Sequence, residues 1–511
     1  MAHWRRAFGL AVVLALGQAA PGLARSLPDK PPLPIYDPNA MPAAAQGLMS
    51  AARKAQADDC RGALDILNGM RGTAGFSALN HDMLTAAYDL GTSCALQREQ
   101  TDLAYSYALD GTRLTNPSAL ALRVVIWHAM DQHQPASAVP LIEALAALHK
   151  DDFNETPIGW LIQIDRDLAK AHAASDQARL YAVVIDGGYA PTQAGVTPDY
   201  FRLRYAAVLA VAGDTAKAAA VFAQIEDGKE QIRASLDPRL HGVVPAGFDA
   251  RAAVEKNLAA LQKSAADHPG SLQTVLNIAR HLRWLGRVED AVALLERNRP
   301  DVPQSARFTD LQDQTIWWWN QLADAYRDLG RYNDAVAALQ TGAQGREHGG
   351  VNVSQTLNLA EMQMTYGHDA DALKTLAAFT PGPANTSPYG MMVFTFDRGC
   401  ARFRTGDLAG AAADRAYAVA HEADLPGNTE LLLACMGDLD GAAAVLIRRL
   451  NDPGEQVDAL LELSEFDAPP VSNPADPFDA RLLQIKARPD VAAAIARAGG
   501  TRRFHLQRTI S

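Results

Sequence analysis

A glycine with small residues seven positions before it and five after it recurs along the C-terminal half of this 511-residue chain. The stretch IWWWNQLADAYRDLGRYNDAVAALQ, Ile316 to Gln340, holds the pattern in full. Counting back from Gly330, Tyr326, Ala323, Leu322 and Trp319 stand at −4, −7, −8 and −11, which is one helical stripe. Tyr332, Ala335 and Leu339 begin a second stripe two residues after it. The spacing predicts helix, tight turn, helix. Ala323 and Ala335 let the two helices approach closely, and Gly330 takes the turn because a left-handed backbone costs glycine little.

The same offsets return around other glycines. Ile278, Ala279, Leu282, Ala291 and Leu295 surround Gly286, and Ala206, Leu209, Ala218 and Phe222 surround Gly213. Leu359, Ala360, Ala372 and Leu376 surround Gly367, with the polar Gln363 at −4. Gly399 and Ala411 flank Gly406, where Arg402 and Arg415 interrupt the apolar stripe. Ala442 and Leu446 follow Gly437 after a short first helix. The glycines lie 73, 44, 37, 39 and 31 residues apart, a unit of about 34 residues with variable loops.

The arrangement resembles the tetratricopeptide repeat, a helix–turn–helix unit of that length. Trp319, Leu322, Ala323, Tyr326, Ala335 and Leu339 match its pattern, with Ala323 in place of Gly and Leu339 in place of Phe. The resemblance implies an all-α solenoid of antiparallel helix pairs over about residues 43–465, curved so that first helices line a concave groove. A generic helical bundle is the alternative, but it needs no turn glycine with small residues at fixed offsets.

The chain divides as follows. Residues 1–24 read as a signal peptide: the basic MAHWRR, an apolar region of 14 residues and the small Gly22 and Ala24. The apolar run is short of the roughly 20 residues a bilayer span needs. A Pro-rich linker covers 25–42, and N-terminal helical repeats cover 43–230, with Asp58 at the first turn. An irregular segment plus one added helix (Phe248 to Pro269) covers 231–270. Repeats resume over 271–465, and 466–511 holds a second Pro-rich linker, a capping helix begun by Asp490 and stopped by Gly499, and a basic tail.

Apolar residues make up 48% and charged residues 21%, a globular balance, and the net charge of −11 argues against a general nucleic-acid binder. No zinc, P-loop, dinucleotide or nucleophile-elbow motif is present, so no catalytic residue, metal ligand or cofactor is assigned. The acidic pairs Asp58–Asp59 and Glu289–Asp290 fall at turns and helix starts, where carboxylates favour the helix dipole.

Four cysteines would meet an oxidising compartment after export. Cys60 opens a second helix and Cys94 closes the next first helix. These ends meet in an antiparallel stack, so a Cys60–Cys94 disulfide is expected. Cys400 and Cys435 both lie on first helices, which run parallel about 10 Å apart, so they are expected to remain buried thiols.

In the resembling family the groove usually binds an extended peptide or a partner helix, and positions −13, −10, −9 and −6 from each turn glycine face it. Here those positions hold Tyr200 and Arg204, then Asn277 and Arg280, then Trp317, Asn320, Gln321 and Asp324. Asn358 and Glu361 follow, then Phe396 and Asp397. Trp317 is expected to face the groove, Trp319 to pack inside its own pair, and Trp318 to lie against the neighbouring unit or at its edge. The expected function is a non-catalytic scaffold or adaptor in the bacterial periplasm that binds a protein or peptide. A polysaccharide-binding accessory of cell-envelope or exopolysaccharide export is the alternative. No nucleic-acid partner and no membrane span in the mature chain are expected. N-terminal sequencing of exported protein should begin near Arg25; intact Met1 in a membrane fraction would contradict the signal reading.

Overall fold

The computed structural model describes residues 42–193, 195–345, 352–378, 386–467, 471 and 479–507. The signal sequence and all but the last residue of the 25–42 linker lie outside the described residues, as does most of the second linker. The described residues are almost entirely helical and form two compact units, one ending at Thr192 and one starting at Gln193. No described helix is long and apolar enough to cross a membrane.

The first unit holds four helix pairs among its described residues: Ala43–Gln56 with Cys60–Met70, His81–Gln97 with Thr101–Gly111, Ala119–Asp131 with Pro135–Leu148, and Ile158–Lys170 with Ala174–Ile185. Each turn has one residue at positive φ, and none of the four is glycine: Asp58 (63°), Glu99 (57°), His133 (52°) and His172 (54°). In the second unit the same position is Gly213, Gly286, Gly330, Gly367, Gly406 or Gly437, all between 69° and 89°.

The closure is the same throughout. The residue after the turn donates its N–H to the carbonyl five residues back: Asp59 to Lys54 at 2.8 Å, Gln100 to Ala95 at 2.8 Å, Arg331 to Tyr326 at 2.9 Å. This satisfies a carbonyl the first helix would otherwise leave open. Where the following residue is aspartate, it also starts the second helix. Asp59, Asp214, Asp407 and Asp438 each accept the backbone N–H three residues on.

Positions −7 and +5 face each other between paired helices. Buried alanines fill both around Asp58, Gly213, Gly286, Gly330 and Gly367. At Glu99 and His133 the +5 alanine faces Thr92 and Ile126, and in other pairs polar groups bond across the two helices. Around His172, Gln177 donates to buried Asp165 at 2.8 Å. Gln363, the polar residue at −4 before Gly367, accepts from Thr375 at 2.7 Å. Arg402 before Gly406 reaches buried Asp414 at 2.9 Å. At −7 before Gly437, buried Glu430 meets Arg449 at 2.7 Å, and burial pushes its carboxyl up to about 7. The departures from the apolar stripe are thus interhelical bonds, without which these groups would be costly to bury.

The second unit's six pairs are Asp199–Val211 with Thr215–Phe222, Leu272–Trp284 with Val288–Arg297, Leu311–Asp328 with Tyr332–Ala343, Val353–Thr365 with Asp369–Ala377, Pro388–Thr405 with Leu408–Ala420, and Pro426–Cys435 with Leu439–Asn451. Between its first two pairs lie the added helices Gly228–Leu236 and Ala250–Asp267. The first of these falls in the stretch expected to be irregular. Asp199 accepts the N–H groups of Glu226 and Asp227 at 2.9 and 2.7 Å, tying the Gly213 pair to it.

The second unit does not end as an open array. From Leu272 to Cys435 successive first helices touch, and then Gln456–Leu463 packs on Gly228–Leu236. Arg233 forks onto Asp458 there, with Nη2 to Oδ2 at 3.1 Å. Strand β1, Glu465–Asp467, pairs in parallel with β2, Arg503–Gln507. β2 also lies on Ala250–Asp267 and Leu272–Trp284. Its Phe504 and Leu506 enter the same core as Val254, Leu282 and Trp318. The C-terminal residues therefore act as a strap that closes the unit into a ring. In the capping helix, Pro489–Arg497, the N-cap is Arg488 rather than Asp490, which sits in the first turn and holds the Arg488 guanidinium at 3.1 Å; Gly499 does stop it, at φ 109°.

The cysteines pair as Cys60–Cys94 and Cys400–Cys435, with Cα separations of 5.0 and 5.8 Å. The second pairing corrects the expectation of two thiols. The generic helix spacing does not apply there, because Gly399 lacks a side chain. A Cβ on Gly399 would stand 2.9 Å from Leu432 Cδ1, so the two first helices come within a disulfide's reach.

Gly330→Val should cost about 1–3 kcal/mol, because a β-branched residue is strained at φ 69° and Val471 lies 2.7 Å from the added Cβ. Glu99→Gly and His133→Gly should be neutral or stabilise by up to about 1 kcal/mol; denaturant midpoints check both. Peptide mapping without reductant should yield two linked pairs, and Cys400→Ser should cost about 2–4 kcal/mol under oxidising conditions.

Candidate binding groove

The ring's inner face is built from the first helices of the Gly286, Gly330 and Gly367 pairs. On Leu311–Asp328 the three adjacent tryptophans point three ways, as their 100° steps require. Trp317 is 41% exposed and Trp318 fully buried, with its Nε1 donating to Leu295 O at 3.1 Å. Trp319 is half-buried, edge-on to Trp318 at 4.7 Å between centroids. Trp319 was expected to be the buried core aromatic. Trp318 takes that place, because the preceding helix Val288–Arg297 covers it, whereas Trp319's own partner helix offers it the bare backbone at Gly342.

Asn358 donates to Asn320 Oδ1 at 2.6 Å, so two successive first helices bring these amides together. Asn277 accepts from Gln273 at 3.2 Å on its own helix. Tyr200 and Arg204 hold each other: the guanidinium lies 3.4 Å over the ring and donates to the Tyr200 carbonyl at 3.2 Å.

Other expected groove residues are engaged below the surface. Gln321 is buried and accepts from Arg283 at 3.4 Å. Asp324 pairs with Arg283 at 3.3 Å and with Arg327 at 3.0 Å. Arg283 also holds Asp328 at 2.7 Å. Burial pushes the Glu361 carboxyl up, against the pull of Arg327.

The Gly406 pair departs from the expectation. Phe396 and Asp397 are buried rather than open to the groove. Neither Asp397 oxygen has a hydrogen-bond partner among the described residues, and burial, aided by Glu361, holds its carboxyl well above the usual range.

Arg280 reaches solvent and has no hydrogen bond or ion pair among the described residues; desolvation and neighbouring Arg283 push its pKa down. The residues that sequence reading missed are Arg283 and Arg327, both at −3 from a turn glycine, and Lys229 and Arg233 on Gly228–Leu236. That helix does carry a start signal. Asp227 accepts the N–H of Lys229 at 2.8 Å and of Glu230 at 3.2 Å, and the D-x-x-E spacing is that of a capping box. Among the described residues no three His, Cys, Asp or Glu side chains are placed to hold a metal ion.

The chain is a helical repeat protein of tetratricopeptide-like form. No protein-family model and no curated protein matches it. Solved structures similar to it include the APC/C hetero-tetramer Cut9–Hcn1, at 13% identity over 90% of each chain with a TM-score of 0.28. Another is a monomeric mutant of IFIT1 with m7Gppp-AAAA, at 12% identity over 89% of this chain and 90% of that one, with a TM-score of 0.30. Both are shallow superpositions, and the helix-pair assignment stands on the turn geometry above.

Trp318→Ala should cost about 3–5 kcal/mol, while Trp317→Ala should leave thermal stability nearly unchanged. A raised carboxyl pKa means that the folded state holds its proton longer than the unfolded chain. Asp397 thus favours folding most below the unfolded value of about 3.9 and loses that contribution as pH rises toward its folded value. Asp397→Asn should flatten the fall in stability as pH rises above about 4, read as melting temperature against pH.

Proposed function

We propose that the second unit's inner face binds an extended peptide segment of a partner protein, and that the chain acts as a non-catalytic scaffold in the bacterial periplasm. The observation that carries this is the meeting of Asn320 and Asn358 on successive first helices, with exposed Trp317 on the same helix as Asn320. A primary amide donates and accepts, as a peptide backbone does, so a row of amides serves an extended chain of varied sequence. Trp317 supplies an apolar face beside it. Two cysteine pairs within disulfide reach and the signal-like N-terminus support export.

The test is selection of binders from a random extended-peptide library, followed by affinities. Trp317→Ala and the double variant Asn320→Ala/Asn358→Ala should each weaken the selected peptide at least tenfold, about 1.4 kcal/mol. Peptides that bind both variants as tightly as the parent would contradict the reading. A glycan array with Trp317-dependent hits would favour the polysaccharide alternative.

A further inference from the structure

Most cations on the ring's inner face are spent on a neighbour. Arg233 holds Glu230 and Asp458, Arg283 holds Asp324 and Asp328, and Arg327 holds Asp324. Lys229 and Arg280 are the exceptions, for neither side chain has a hydrogen bond or ion pair among the described residues. They are nonetheless brought together. Asn257 Oδ1 accepts the Gly228 N–H at 3.2 Å and lies 2.5 Å from His281 Nε2. That one side chain pins the start of Gly228–Leu236 to Leu272–Trp284, and Lys229 and Arg280 are the residues adjoining the two pinned positions. His281 is further fixed through Nδ1, 2.8 Å from Asn277 O. Each cation is pushed down in pKa, first by desolvation and then by like charge: Lys229 by Arg233 and Arg280, Arg280 by Arg283.

Arg283, one turn along the same helix, adds positive charge beside Arg280. Arg283 is 2% exposed, and its Nη2 has no partner among the described residues although its Nε and Nη1 are engaged. Leaving a buried guanidinium nitrogen unsatisfied is costly. Placing two cations without a direct partner next to one another adds a repulsion, opposed at longer range by Glu230 and Asp458 at Lys229 and by Asp227 and Asp324 at Arg280.

We infer that Lys229 and Arg280 form an oxyanion subsite on the ring's inner face, suited to a doubly charged group of the phosphate kind. A phosphate matches the two cations that lack a direct ion pair and offers acceptors to an ammonium and a guanidinium fork. A single carboxylate would leave one cation uncompensated. Lys229 comes from the added helix outside the repeats, so the subsite belongs to the insertion rather than to the repeated groove positions. The subsite is independent of the peptide reading, and its test uses no peptide.

The experiment is the melting temperature of the full exported chain in phosphate-free buffer, titrated at constant ionic strength with inorganic phosphate, phenyl phosphate or acetate. A ligand that binds only the folded state raises the melting point with its concentration. The parent should show a saturable rise with inorganic phosphate and little with acetate. A rise with phenyl phosphate as well would identify an ester-borne group as an acceptable source; a rise with inorganic phosphate alone would restrict the subsite to the free ion. Lys229→Met and Arg280→Met should each weaken the phosphate response at least tenfold, and Arg280→Lys should restore part of it. Neither parent side chain has a bond to lose, so both Met variants should fold and melt at or above the parent's temperature without phosphate. No saturable response in the parent, or an equal response in both Met variants, would overturn the subsite. Peptide binding lost through Trp317→Ala in a protein that ignores phosphate would overturn it while leaving the peptide reading intact.

Discussion

Every helix pair in both units turns on one residue held in the left-handed conformation. That residue lets the next N–H fold back onto the carbonyl five positions earlier, as Arg331 does onto Tyr326 and Asp59 onto Lys54. The bond ends the first helix at a fixed phase and launches the second from a fixed direction. The −7 and +5 positions then face each other whatever occupies them. Once they do, side-chain size decides how near the helices come, and matched polar groups can replace alanine, as Asp165 and Gln177 do. The inner face follows from the same phase, since −9 and −6 on one first helix are aligned with −9 and −6 on the next.

Glycine made this constraint legible in the second unit and hid it in the first. All six turn glycines identified by spacing have positive φ. In the first unit Glu99, His133 and His172 occupy the same conformation with nothing in their side chains to announce it; only Asp58 was placed at its turn. The turn tolerates them because the fold-back bond compensates a cost of about 1–2 kcal/mol per non-glycine residue. Local spacing also cannot reveal a strap. Phe504 and Leu506 alternate like a strand, but their partner Phe466 is 38 residues before Phe504, and the helices beneath lie farther back still.

The groove was legible in register and less so in use. Asn320, at −10 in its pair, meets Asn358, at −9 in the next, and Trp317 is exposed. Gln321 and Asp324 lie on the expected helix yet are drawn into a network with Arg283 and Arg327, whose −3 positions are set by the same turn. Trp318 lies against the preceding pair, as expected for a residue facing the neighbouring unit; Trp319 is only half-buried, because that covering surface comes from outside its own pair. Asp397 is instead buried within electrostatic reach of Glu361 on the preceding first helix.

The ring makes the inner face an enclosed surface, and its closure rests on a contact between residues 225 positions apart, Arg233 and Asp458. The most direct test is a charge swap at that contact, read by chemical denaturation of the whole chain. Arg233→Glu and Asp458→Arg should each destabilise the second unit, and the double variant should recover much of the loss, with a coupling of about 1–3 kcal/mol. Additive losses in the double variant would mean that the two residues do not meet and that the array is open.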